Sequence, residues 1–277
     1  MRFSEAKTVD DMVRLLEDMA TQMKNTTNGN IKYVYHYTNA AAAIAILTGK
    51  RWFIGSPKKM NDGLELLHLE DAHYSNLFFA SFLSDNSESI AMWAMYSQPW
   101  SDGVIIKIPV EKLKHWLKEN PCIYAANDKS KTVISAIEGA KISLHYVAYT
   151  NEESQTDINQ IVLTCGDQTN QTINRVLDNP NVSGYIKDSA WSYEKELRLR
   201  ITVNSLTEYN AVMIDIPKDV LDSFEFITGP KYNGNLLAQI RKGADQRFDG
   251  KRISQSLFTG RLNWTYCDYC QASKEHK

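Results

Sequence analysis

The longest uninterrupted apolar stretch in this 277-residue chain is Ala40 to Leu47, only eight residues. A helix that crosses a bilayer needs about 20, so no transmembrane segment is expected and the chain must build its core from several short elements. Alternating or β-branched runs at Ile31–Tyr37, Arg51–Ile54, Leu77–Phe82, Val104–Ile108, Ser143–Tyr149, Glu196–Val203, Val212–Ile216, Phe224–Ile227 and around Ile253–Leu257 read as strands. Helical spacing appears between them. Thr8-Val9-Asp10-Asp11 has the form of a capping box ahead of Met12, Leu15, Leu16, Met19 and Met23, which predicts an amphipathic first helix. Thr38 or Asn39 caps an Ala-rich helix stopped at Gly49, and further helices follow through Leu64, Leu67 and His68, over Ser87–Tyr96 with Ile90, Trp93, Ala94 and Met95 at core spacing, over Val110–Lys118, and over Asn235–Arg241.

No repeat or linker of domain-separating length interrupts this pattern, so the prediction is one α+β domain on a mixed, largely antiparallel sheet. Its expected parts are an N-terminal helix (1–30), a main domain (31–262) and a tail (263–277). The polar segment Asp157–Leu177, broken by Gly166, is expected to be a helical insertion of modest stability, within extra material at about 110–190. Met1 to Lys7 leads into acidic sequence without an apolar core, so a signal peptide is not expected and a cytoplasmic location is, with Cys122, Cys165, Cys267 and Cys270 as reduced thiols.

Charge excludes one class of reading. Lys plus Arg number 31 against 33 Asp plus Glu, a formal net of -2, so the whole molecule is not drawn to a phosphate backbone. A local patch exists instead. From Lys231 to Arg261 seven basic residues, among them Lys242, Arg247, Lys251 and Arg252, face only Asp245 and Asp249, which suits either a nucleic-acid backbone or a solvated helix face. Cys267-x-x-Cys270 with His276 nearby lacks the second pair that a structural zinc site requires, so no metal is expected.

Three segments concentrate chemistry. Tyr35-His36-Tyr37-Thr38 delivers a His between aromatics to the end of a strand, where it serves either as a ligand contact or as a satisfied core residue. In Phe78-Phe79-Ala80-Ser81-Phe82-Leu83-Ser84, alternation sends Ser81 to the same face as Phe79, placing a small hydroxyl at a strand end, or simply ahead of a Ser-rich helix cap. Trp191-Ser192-Tyr193-Glu194-Lys195-Glu196-Leu197-Arg198-Leu199-Arg200 sets two carboxylates two apart at the start of a strand, on one side if both are extended, or else forms a charged edge strand.

Their order carries more than any one alone. A first-strand His36, then Ser81 to Ser84, then an aromatic helix with Tyr96, then Glu194-Lys195-Glu196 resembles the ADP-ribosyltransferase fold. More closely, YHYT, KKMND, SFLS, MWAMY and WSYEKELRLR resemble the bacterial domain family DUF2971, taken as a divergent member of that fold, over about Ile31 to Leu262. The resemblance implies a split-sheet core with flanking helices, NAD as the substrate and no metal. Glu196 is then the carboxylate beside the ribose, Glu194 the group that orients or deprotonates the acceptor, and a neutral His36 a donor to ribose hydroxyls. Tyr37, Trp93 and Tyr96 are the candidates to stack nicotinamide, with Thr38, Asn39, Ser81 and Ser84 as further NAD contacts. The arrangement is a hybrid, its His like that of the diphtheria-toxin-like branch and its Ser and E-x-E like those of the Arg-Ser-Glu branch.

The expectation is an intracellular NAD-dependent ADP-ribosyltransferase of toxin or anti-phage type, modifying RNA or other nucleic acid rather than protein, and restrained by an antitoxin or inhibitory partner; the first helix either packs on its own domain, the favoured reading, or offers that partner a docking surface. Two other readings stay open. One is an NAD glycohydrolase or nuclease, and the other a non-catalytic module that binds a nucleotide or protein on the same fold.

Overall fold

The computed structural model describes residue 14 and residues 31–57, 77–84, 88–126, 140–150, 184–203 and 209–262. The predicted first helix, the helix through Leu64, Leu67 and His68, the KKMND segment, the Asp157–Leu177 insertion and the tail with Cys267, Cys270 and His276 lie outside the described residues.

In chain order the described elements are β1 (Tyr33–Asn39), α1 (Ala40–Gly49), β2 (Arg51–Gly55), β3 (Leu77–Leu83), α2 (Ile90–Tyr96), β4 (Gly103–Pro109), α3 (Val110–Lys118), β5 (Ile123–Ala125), β6 (Lys141–Tyr146), β7 (Ala148–Thr150), β8 (Ile186–Asp188), β9 (Glu196–Thr202), β10 (Ala211–Asp215), α4 (Lys218–Leu221), β11 (Glu225–Thr228), α5 (Leu236–Gly243) and β12 (Ile253–Gln255). Local chemistry sets the joints. The Asn39 side chain accepts from Ala42 N at 2.9 Å and starts α1. The left-handed residue after this helix is Lys50 (φ 53°), one position beyond the expected stop at Gly49. Small residues Ala40 and Ala43 let α1 lie close on the sheet, and Pro109, whose ring fixes φ, turns β4 directly into α3.

Among the described residues, ten strands form one sheet, mostly antiparallel, with β11 and β12 parallel; β7 and β8 make a separate parallel pair. The sheet forks at β3. All seven of its residues pair with β9 along one edge, so β1 and β2 must share the other, β1 at Leu83 and β2 at Phe79. One arm then runs through β1, β4, β11 and β12 and the second through β2, β10 and β5.

The main core covers one face, with Val34, Phe78, Phe82, Ile106, Leu199 and Phe226. A smaller cluster of Tyr35, Tyr37, Leu83, Met92, Trp93 and Ile105 joins α2 to the other. Three expectations change. Ser143–Tyr149 is two strands broken at Val147, β6 and β7. In α2 the buried residues are Met92 and Trp93, with Ile90 and Met95 exposed; Ser89, whose side chain accepts from Met92 N, caps the helix and starts it at Ile90. β9 is an internal strand between β3 and β6, so its charged residues are buried rather than arrayed along an edge. The described parts of the 110–190 stretch supply β5 and β6 to the main sheet.

Candidate active site

The fork opens a cavity of about 440 Å³. Its walls come from β1 (Tyr35, His36, Tyr37), β2 (Trp52, Phe53), β3 (Phe79 to Leu83) and α2 (Met92, Met95, Tyr96), and its charged groups are Lys187, Glu194 and Glu196. His36 fills the split itself. Its Nδ1 lies 3.0 Å from the Ser81 carbonyl oxygen, and since a carbonyl only accepts, Nδ1 carries the hydrogen and Nε2 is the acceptor nitrogen. The ring packs edge-on to Trp52 at 4.9 Å between centroids and against Phe82 at 5.8 Å. Burial lowers its pKa more than the Ser81 bond raises it, so the imidazole is neutral at pH 7.

The two carboxylates reach the cavity by different routes. Glu196 opens β9, while Glu194 ends a 3₁₀ turn, Ser189–Glu194, and Lys195 between them is left-handed (φ 41°). They are therefore not two residues of one extended strand, and it is the turn that brings both to the same cavity. The turn is held by Ser84, whose backbone N and Oγ both donate to the Lys195 carbonyl, at 3.1 and 2.7 Å.

Glu196 is 2% exposed and Arg198, two residues on and on the same face of β9, is 0% exposed. Arg198 grips it bidentately, Nε to Oε1 at 2.6 Å and Nη2 to Oε2 at 2.7 Å, while Ser81 Oγ donates to Oε1 at 2.5 Å. Burial pushes this carboxyl up, but Arg198, Lys187 and the Ser81 bond together hold it below the ordinary range, so it is ionised. Glu194, 3% exposed, accepts from Lys187 Nζ at 2.6 Å and from Tyr96 OH at 2.6 Å. Here burial outweighs both, and its pKa is raised. One carboxylate is thus fixed as an anion and its neighbour is poised nearer to taking a proton, a division of roles that acid-base catalysis on sugars uses.

Of the residues expected at the site, His36, Tyr37, Ser81, Tyr96, Glu194 and Glu196 line the cavity. Thr38, Asn39, Ser84 and Trp93 are not in its lining: Asn39 caps α1, Ser84 braces the Lys195 turn, and Trp93 is buried with Nε1 donating to Glu88 at 3.0 Å. The basic segment lies elsewhere. Lys242, Arg247 and Lys251 are exposed, whereas Arg252 donates to the carbonyls of Phe224 and Leu221 at 2.7 and 2.8 Å and stacks on Phe248, which commits it to the fold. Among the described residues no group of three or more His, Cys, Asp and Glu is placed to hold a metal ion, and no helix is long and apolar enough to cross a membrane.

Sequence reasoning did not single out Lys187, Arg198, Trp52 or Phe79. Arg198 had a signal, the two-residue spacing from Glu196 in an alternating strand; Lys187 sat in a stretch read as insertion. Residues 92–199 match the family model described as Protein of unknown function (DUF2971), which supports assignment to that family. The matched segment carries Tyr96, Lys187, Glu194, Glu196 and Arg198, while His36 and Ser81 precede it. No curated protein and no solved structure matches the chain.

Proposed function

We propose that this chain is an NAD-dependent ADP-ribosyltransferase that breaks the bond between nicotinamide and ribose and passes ADP-ribose to a macromolecular acceptor, nucleic acid rather than protein. The observation that carries the reading is the pair of buried carboxylates on the wall of an aromatic cavity, Glu196 held by Arg198 and Ser81 and Glu194 by Lys187 and Tyr96. A cavity of about 440 Å³ suits the nicotinamide and its ribose, with the adenine half outside. Tyr37 and Tyr96, both in the lining, are the aromatic side chains assigned to nicotinamide.

When the glycosidic bond breaks, nicotinamide leaves with the bonding electron pair and positive charge develops on the ribose. A fixed carboxylate stabilises that charge without reorganising at the moment of reaction. Oε1 of Glu196 already accepts two hydrogen bonds, from Ser81 and Arg198, so Oε2 is the oxygen with capacity for a ribose hydroxyl. Glu194 takes the proton that the acceptor loses as it attacks the ribose carbon.

The test is incubation with labelled NAD and separate pools of RNA, DNA and protein. Label on one pool, lost in Glu196→Gln with the fold retained, supports transfer and names the acceptor class; NAD loss without label points to a glycohydrolase, and RNA cleavage without NAD to a nuclease. A second reading draws on one observation. The bidentate Arg198 grip neutralises Glu196, as in a binding site built for shape, and intact NAD throughout would favour a non-catalytic nucleotide-binding module.

A further inference from the structure

Lys187 stands out among the cavity groups. It comes from the short β8, is 5% exposed, and places its ammonium 2.6 Å from Glu194 Oε2 and 3.7 Å from Glu196 Oε2, over the Trp191 ring at 4.7 Å. A buried ammonium is costly unless compensated, and here one cation serves two carboxylates unequally, by a charge-assisted hydrogen bond to Glu194 and through space to Glu196. Arg198 supplies the second positive charge, but its fork is spent on Glu196 and on the Gly184 carbonyl.

We propose that Lys187 is a positioning residue of the site, the group that lets two buried carboxylates stand together and ties Glu194 to the acceptor side while Glu196 faces the ribose. The role in turnover rests on the transferase reading above; the placement of the carboxylates does not. Lys187 joins three elements at one point, β8 through its own backbone, the 189–194 turn through Glu194, and the head of β9 through Glu196. Tyr96 from α2 completes the grip on Glu194, and Tyr149 from β7 accepts from the Glu196 backbone N at 2.9 Å. The titratable and charged groups around the cluster among the described residues include Glu194, Glu196, Arg198, Tyr96, Tyr149, Tyr185, Tyr193 and His36.

Lys187→Met keeps an unbranched chain of similar length and deletes the charge. Among the described residues, the cation left beside the pair is then Arg198, which grips Glu196, and loss of a nearby cation raises a carboxyl pKa. The experiment uses the full chain with ¹³C-labelled glutamate, the two carboxyl resonances being assigned by Glu194→Gln and Glu196→Gln. Expected in Lys187→Met is a carboxyl midpoint higher by about one pH unit or more, with the acid limb of kcat for NAD moving the same way and KM for NAD changing less than about threefold. Lys187→Arg restores both. Should Lys187→Met fail to fold, Lys187→Gln, which retains a donor for Glu194, carries the same comparison. Carboxyl midpoints unmoved in the charge-deleted variant, or a kcat loss equal at every pH, would overturn the proposal. Midpoints that move while the unaltered protein turns over no NAD would sink the transferase reading and leave the positioning role standing.

Discussion

At the scale of the residue, burial decides what each polar group can do. His36 is neutral in the fold because a charged ring would lack water, yet in the unfolded chain it titrates near its ordinary 6.5. Its folded pKa is depressed, so its contribution to stability is whole above 6.5 and is lost as pH falls toward the folded value, since unfolding then takes up a proton. A single such site gives a slope of at most about 1.4 kcal/mol per pH unit. The stability difference between the unaltered protein and His36→Gln should therefore narrow or reverse on moving from pH 7 to pH 5, as read by urea midpoints. Glu194 works in the opposite sense, its raised pKa favouring the fold as pH falls toward 4.5, so the comparison must be made on the variant pair and not on the raw pH profile. A backbone case sits beside it. Gly184 has φ +76°, and a Cβ there would lie 2.3 Å from the Phe79 ring, while its carbonyl receives Arg198 Nη1 at 2.8 Å. Gly184→Ala is expected to cost on the order of 2 kcal/mol and to displace Phe79, measured by denaturation and, on the proposed transferase reading, by weakened NAD binding.

At the scale of the element, the clearest separation between fold and site is at the end of β1. Asn39 Oδ1 is taken by the first turn of α1. Asn39→Ala should lower stability by about 1 kcal/mol, Asn39→Asp should restore most of it, and, if the proposed reaction holds, neither should alter the KM for NAD. A KM raised by the Ala variant and not by loss of stability would return Asn39 to the site. The position also shows what the sequence can and cannot disclose. The strands and helices of the described chain were largely legible because period and cap chemistry are local: Val110–Lys118 runs as expected from Pro109, and Asn39 was one of two named caps. The short β5 and β8 carry too few residues to show a period, and Val147 breaks a strand that alternation alone would continue. The site was legible where a polar residue interrupted an apolar strand end, at His36 and Ser81. It was not legible at Lys187, since nothing local says that β8 returns to the cavity, nor at Arg198, whose meaning as a clasp or an edge charge depends on whether β9 has neighbours on both sides.

At the scale of the whole molecule, a net charge of -2 coexists with a basic surface segment away from the cavity. The structure divides that segment by function. Arg252, half-buried, donates to backbone carbonyls of the β11 region, and Arg241, though exposed, donates to the Phe248 carbonyl at 3.2 and 3.1 Å; Lys242, Arg247 and Lys251 are exposed. If the acceptor is a nucleic acid, these three exposed cations can follow its backbone, and each phosphate contact releases about 0.7 counterion from a single strand. The triple change Lys242→Gln, Arg247→Gln, Lys251→Gln should then flatten the slope of log K against log salt by about 2 for single-stranded RNA, leave stability within about 0.5 kcal/mol, and leave NAD loss in the absence of acceptor unchanged. Arg252→Gln should do the reverse, lowering stability and sparing the salt slope. An unchanged slope in the triple variant would separate the basic segment from the acceptor and place recognition at the cavity mouth, where Phe53 and Met95 are exposed and Tyr193 OH donates to Met95 Sδ at 3.1 Å. A flattened slope would instead mean that chemistry and acceptor holding are set on different parts of the molecule, with Glu196 at the fork and the phosphate contacts on α5 and the segment that leads from it to β12.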